Sequence, residues 1–255
     1  MILPTLMAAR LANRLLRLRL AHRDVPPLAA ANLHALAHLD ENQPAAAFTY
    51  TVVDLETTGL DIKQSRIVSI GAFKLSDQRI HLGHYFDQLV NPGGEMAVAA
   101  IKVHGIVPAM LASAPSGPAV LDDFLHFLGN DILVAHPAWF DSAFLNRLMQ
   151  ACYGFRLQNL VIDSRQLCER TILTKRLPAL PRKPGLLGHG AAAPERHPSS
   201  LTLEEIAHQL GIRIYRRHSA VGDALATAMI VQHCLSHLAQ NGRGRLGDLI
   251  RASTL

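Results

Sequence analysis

Tyr50-Thr51-Val52-Val53-Asp54-Leu55-Glu56-Thr57-Thr58-Gly59-Leu60 reads as a strand that runs into a tight turn. The β-branched run Thr51-Val52-Val53 favours a buried strand. Asp54 and Glu56, two residues apart, project from the same face of it. Two anions side by side at a strand end repel each other and are costly to desolvate, a conflict that divalent cations between them resolve. Hard oxygen donors with no Cys or His beside them favour Mg2+ or Mn2+ over Zn2+. Thr57-Thr58-Gly59 then supplies a turn whose backbone N–H groups can approach a phosphate. Taken alone, an Asp-x-Glu pair is more often a solvated strand end, so the reading depends on what lies elsewhere in the chain.

With 255 residues, 49% of them apolar, the chain can bury a full core as one decorated domain. Its net charge of +5 suits a polyanionic partner without requiring one. Three cysteines, Cys152, Cys168 and Cys234, share no metal-ligand or disulfide spacing, which points to a reducing compartment and a cytoplasmic protein. No apolar run reaches the roughly 18 to 20 residues that cross a bilayer, so integral membrane association is not expected.

Residues 1–46 read as a helical N-terminal extension. Arg10, Arg14, Arg17, Arg19 and Arg23 precede the first acid, Asp24, and leucines recur among them at helical spacing. Such a basic amphipathic helix fits a targeting segment, a membrane-surface helix, a docking helix for a polymerase or other protein, or a plain extension packed on the domain. Pro26-Pro27 ends it, and residues 28–39 read as a second helix before a linker at Pro44. A domain over residues 47–240 follows. Strands are predicted at 50–56, 66–75, 80–90, 132–135 and 160–163, the first three as an antiparallel meander turning at Ser76-Asp77-Gln78. Helices are predicted over 120–128, from Pro137 through Leu148, over 164–171, from Thr202 to Gly211, and from Ser219 through Ala239. Residues 175–200 carry five prolines, three glycines and five Lys or Arg against the single acid Glu195, a composition expected of a flexible basic loop. Residues 241–255 read as a loose basic tail.

Two further segments bring acids toward Asp54 and Glu56. In Leu133-Val134-Ala135-His136-Pro137-Ala138-Trp139-Phe140-Asp141, Asp141 falls in the first turn of a helix that follows a buried strand, and sheets of this kind gather ligands at the carboxyl ends of their strands. In His218-Ser219-Ala220-Val221-Gly222-Asp223, Ser219 as the cap leaves His218 on the incoming loop with Asp223 one turn into the helix, so both can face one spot. In order and local context, the four acids and the histidine resemble the DEDDh family of 3′ to 5′ exonucleases, the group that contains the proofreading epsilon subunit of bacterial DNA polymerase III. The resemblance covers residues 48–239. Pro137 stands where that family commonly has Asn, and Ser69 where a Glu is frequent; neither position is a metal ligand in the family.

The resemblance implies an α/β fold of the ribonuclease H-like type, a mixed five-stranded sheet flanked by helices. It also implies two divalent cations, Mg2+ or Mn2+, held by Asp54, Glu56, Asp141 and Asp223. His218 would take a proton from the attacking water as general base. Thr57, Thr58, Gly59, Leu60 and His104 would contact the terminal nucleotide. The expected substrate is the 3′ end of single-stranded nucleic acid, DNA before RNA, read without regard to sequence and released as nucleoside monophosphates. The alternatives are an RNA exonuclease and a binding module without catalysis that serves nucleic acid or a polymerase.

Overall fold

The β-branched run does form a strand, and its alternation divides the molecule into two cores. In the computed structural model, which describes residues 6–173 and 201–253, the strands are β1 (Tyr50–Thr57), β2 (Ile67–Ser76), β3 (Arg79–Leu89), β4 (Ile132–Ala135) and β5 (Val161–Asp163). They make one sheet in the order β3-β2-β1-β4-β5. β1, β2 and β3 pair antiparallel, and β4 and β5 continue parallel to β1. The turn between β2 and β3 needs only Asp77 and Gln78, both at positive φ (49° and 58°), the geometry of the two-residue hairpins that match strand twist. β4 is buried along its whole length, as a strand covered on both faces must be.

The helices are α1 (Leu6–Leu20), α2 (Pro27–Asn32), α3 (Val98–His104), α4 (Pro108–Leu111), α5 (Gly117–Leu128), α6 (Ala138–Tyr153), α7 (Ser164–Thr171), α8 (Leu203–Gln209), α9 (Ala220–Gln240) and α10 (Leu246–Ser253). Tyr50 and Val52 of β1 join Phe73, Ile132, Val134 and Ile162 in one core, covered by α7, α8, α9 and α10. Val53 and Leu55 point the other way, into a core with Ile70, Leu133, Phe124 and Phe144 under α5 and α6. The expected mixed five-stranded α/β sheet with helices on both faces is thus present. The acids of β1 belong to the α9 face, because Asp54 and Glu56 continue the row of Tyr50 and Val52.

Two local expectations differ from what forms. The second helix ends at Asn32 rather than near Leu39: the Asn32 side chain accepts from the Gln158 amide at 2.9 Å and donates to Asn159 at 2.6 Å, and residues 33–38 turn instead. The carboxyl-terminal segment is not loose. Leu246, Leu249, Ile250 and Ala252 of α10 are buried in the core beneath α7 and β5. The basic Pro-rich segment at 175–200, expected as a flexible loop, lies outside the described residues.

Helix starts follow the caps read from the sequence. Thr202 forms a capping box with Glu205 at the start of α8, and the Ser219 hydroxyl accepts from the Gly222 amide at the start of α9. Among the described residues no helix is long and apolar enough to cross a membrane.

Candidate active site

β1 carries Asp54 and Glu56 toward the spot where α9 begins, and the first turn of α9 presents Asp223 to them. Oxygens of these three carboxylates lie within 4.8 Å of one another. Asp141 arrives from the other core: β4 leads into α6, and in the first turn of that helix the Asp141 Oδ1 accepts the Leu55 amide at 3.1 Å. Asp141 is not a member of the three-way cluster, yet its charge reaches Asp54.

The close approach of α9 depends on two glycines. Gly71 of β2 pairs with Asp54, and a Cβ there would come within 2.2 Å of the Ala220 carbonyl carbon and the Val221 nitrogen. Gly222 lets the incoming loop fold back on the helix; its Cβ would lie 2.5 Å from the carbonyl oxygens of Tyr215 and Arg216. That loop is bent through Arg216 and His218, at positive φ of 55° and 60°. The bend turns the His218 amide onto Asp223 Oδ2 at 3.2 Å, so histidine and acid are joined through the backbone.

Burial makes the acids hard to ionise together. The carboxyl of Asp54 is pushed well above the usual range, first by desolvation and then by the charges of Asp141, Asp223 and Glu56. Glu56 rises from 4.5 to about 7, through burial and then through Asp223. Asp141 and Asp223 are raised as well, chiefly by burial. Among the described residues, a guanidinium opposes this. Arg217 pairs with Asp223 Oδ2 and is held from behind by Glu204 at 2.6 Å, and its charge draws down Asp54, Glu56 and Asp223. That guanidinium acts on three of the four carboxylates, and among the described residues Asp223 Oδ1 is buried without a hydrogen-bond partner. Oxygen donors only, mutual repulsion and an unpartnered carboxylate oxygen fit a site for hard divalent cations.

A second tier of residues, which local spacing does not reveal, fixes the approach of α6. Asp163 at the end of β5 caps α7 through the Gln166 amide at 2.9 Å and also accepts the Ala138 amide at 3.0 Å, tying α6 to the sheet. The Ser164 hydroxyl donates to the Ala135 carbonyl at 2.9 Å and meets His136 Nδ1 at the same distance. That hydroxyl proton is committed, so Nδ1 of His136 is the donor. Burial depresses His136 to about 3, and the ring is neutral.

The turn after β1 holds itself rather than offering all its donors. The Thr57 hydroxyl donates to the Gly59 carbonyl at 2.7 Å. Thr58 donates its amide to the Arg66 carbonyl at 2.8 Å, and its hydroxyl accepts the Arg66 amide at 3.0 Å. The Thr58 amide is therefore not free for a phosphate, a correction to the reading of this turn from sequence. Leu60 stands out from it, 77% exposed. His104 ends α3, whose start is tied to the same turn by the Ala97 amide on the Thr58 carbonyl at 3.0 Å. His104 Nδ1 accepts the Ile106 amide at 3.0 Å, and burial lowers the pKa of the ring.

Comparison with known proteins places this geometry. The RNase_T family, described as Exonuclease, matches residues 51–231. A DNA polymerase III subunit epsilon-like protein of Rhodobacter capsulatus is 35% identical over 210 residues, 81% of this chain and 26% of that one. The DNA polymerase III subunit epsilon of Aquifex aeolicus is 30% identical over 190 residues, 74% of this chain and 82% of that one. This chain thus spans about a quarter of the length of the first relative and most of the second. Among solved structures, Exonuclease X in complex with 5′ overhanging duplex DNA aligns with a TM-score of 0.55 at 21% identity, covering 79% of this chain and 99% of that one. At that identity the likeness establishes the fold.

Proposed function

This chain belongs to the exonuclease family, and from that premise we propose that it is a metal-dependent 3′ to 5′ exonuclease that releases nucleoside monophosphates from the ends of single-stranded DNA. The observation that carries the reading is the convergence of Asp54, Glu56 and Asp223 within 4.8 Å, with Asp141 beside Asp54. Similarity to a DNA polymerase III epsilon subunit supports DNA as the polymer.

Asp54, Glu56, Asp141 and Asp223 would hold two Mg2+ or Mn2+ ions. Bound there, such ions lower the pKa of a water and offset charge that builds on the phosphate. The chain's own residues supply the rest. His218, on the loop that enters α9, takes the proton as water attacks the terminal phosphorus. The bond from phosphorus to the 3′ oxygen of the preceding nucleotide breaks, that oxygen gains a proton, and a 5′-monophosphate leaves. Thr57, Thr58 and Gly59 shape the turn that lies against the terminal nucleotide, Leu60 packs on its base, and His104 meets it from α3.

The test is a time course with 5′-labelled single-stranded DNA and RNA oligomers, in Mg2+, in Mn2+ and in EDTA. The wild-type protein is expected to shorten DNA stepwise from the 3′ end in either metal and not in EDTA. Asp54→Ala should abolish turnover, and His218→Ala should reduce it about 100-fold or more. Full activity in a folded Asp54→Ala protein would refute the site; faster shortening of RNA would refute the choice of polymer.

A further inference from the structure

The end of the molecule opposite the acids carries a face that the nuclease reading leaves unused. Docking of α1 uses Leu6, Asn13 and Leu20, seven residues apart along one side. The Asn13 side chain donates to Gln158 at 2.9 Å, and Asn159 beside it donates to the carbonyls of Gly129 and Asp131. Those loops lead into β4 and β5, so α1 lies at the amino ends of the parallel strands, whereas Asp141 and Asp163 mark their carboxyl ends.

The outer side of α1 is apolar. Met7 is 81% exposed, Leu11 and Leu15 59%, and Leu18 65%. At about 100° per residue these four fall within an arc of roughly 80°. Arg14 and Arg17 border the arc on the side nearer the body, Arg19 borders it on the other, and α1 contains no acid. Beside Arg14 and Arg17 opens a cleft of about 490 Å³, floored by Leu33, Leu36 and Ala37. Arg10 also lines it, and reaches across to the carbonyls of Leu36 and Leu39.

We propose that α1 docks the protein on an anionic lipid surface, with Met7, Leu11, Leu15 and Leu18 entering the interface and Arg14, Arg17 and Arg19 pairing with phosphate headgroups. An apolar stripe bordered by arginines is the pattern of a helix lying in a membrane interface plane. A nucleic acid would engage the arginines and leave four large apolar side chains in water. A second copy of this chain would press two arginine-flanked stripes together, an arrangement opposed by like charge. Docked in this way, the sheet presents its acid-bearing end away from the lipid, open to a strand.

The full-length protein is to be sedimented with vesicles of phosphatidylcholine alone and of phosphatidylcholine mixed with phosphatidylglycerol, at low and high salt. Binding is expected only to the mixed vesicles and is expected to weaken with salt. Arg14→Gln and Arg17→Gln should each weaken it about fivefold. The triple variant Leu11→Gln/Leu15→Gln/Leu18→Gln should no longer sediment, while its melting temperature stays that of the wild type, since none of the three is buried. Absence of wild-type sedimentation would overturn the proposal. So would undiminished sedimentation of the triple variant, or release by a competing oligonucleotide or acidic protein, which would assign the arginines to that partner.

Discussion

Glu56 is the residue through which the acid cluster can be followed in solution. Burial raises its carboxyl from 4.5 to about 7 in the folded chain, so protonation favours the folded form. That contribution is complete below about pH 4.5 and is lost as the pH rises through about 7. Asp54, Asp141 and Asp223 shift in the same direction. In EDTA the melting temperature should therefore fall between about pH 5 and about pH 8, and Mg2+ or Mn2+ should restore it at the alkaline end. His136 works in the opposite sense, since its depressed pKa favours the fold above 6.5 and that gain is lost as the pH falls. Comparison with Glu56→Gln separates the two: scanning fluorimetry in EDTA should show a smaller alkaline fall in the variant, and identical profiles would contradict the assignment. All four acids were legible in the sequence because each is set by its own strand end or first helical turn. Arg217 was not. Its partners, Glu204 and Asp223, lie 13 and 6 residues away on different helices, so from sequence it was one more cation beside His218.

At the level of elements, the junction of β2 with α9 does most to assemble the site. Gly71→Ala would drive a methyl group into the backbone of Ala220 and Val221. We expect a loss of roughly 3 kcal/mol of stability, at the upper end for overpacking. Metal affinity should fall further than stability alone requires, because the turn displaced is the one that carries Asp223; calorimetric titration with Mn2+ on the folded variant measures this. The strands were readable because their signals are local: β4 follows from four apolar residues between polar ones, and the β2 to β3 hairpin from a two-residue turn. The glycine contact was invisible, since Gly71 and Ala220 are brought together only by tertiary packing. The early end of α2 has the same origin. Asn32 stops that helix to satisfy groups on Gln158 and Asn159, over 120 residues away.

At the scale of the whole molecule, α10 closes the core that the sequence assigned to a loose tail. Eight residues after two glycines gave too short a pattern to separate a helix from a frayed end, and the burial of Leu246 and Leu249 depends on a groove that α7 and β5 supply. Leu249→Ala should cost about 2 to 5 kcal/mol, measured by urea unfolding, where a tail in solvent would cost almost nothing. The same region joins the two ends of the exonuclease fold. Ala45 donates its amide to the Gly244 carbonyl at 2.7 Å, Leu246 donates to Gln43 and Gly247 to Glu41, each at 2.9 Å. The segment that leads into β1 and the segment that leaves α9 therefore lie side by side, clasped by backbone hydrogen bonds. A clasp of this kind couples the two ends of the catalytic sheet's chain path, so that loosening α10 would also loosen the lead into β1, the strand that carries Asp54 and Glu56.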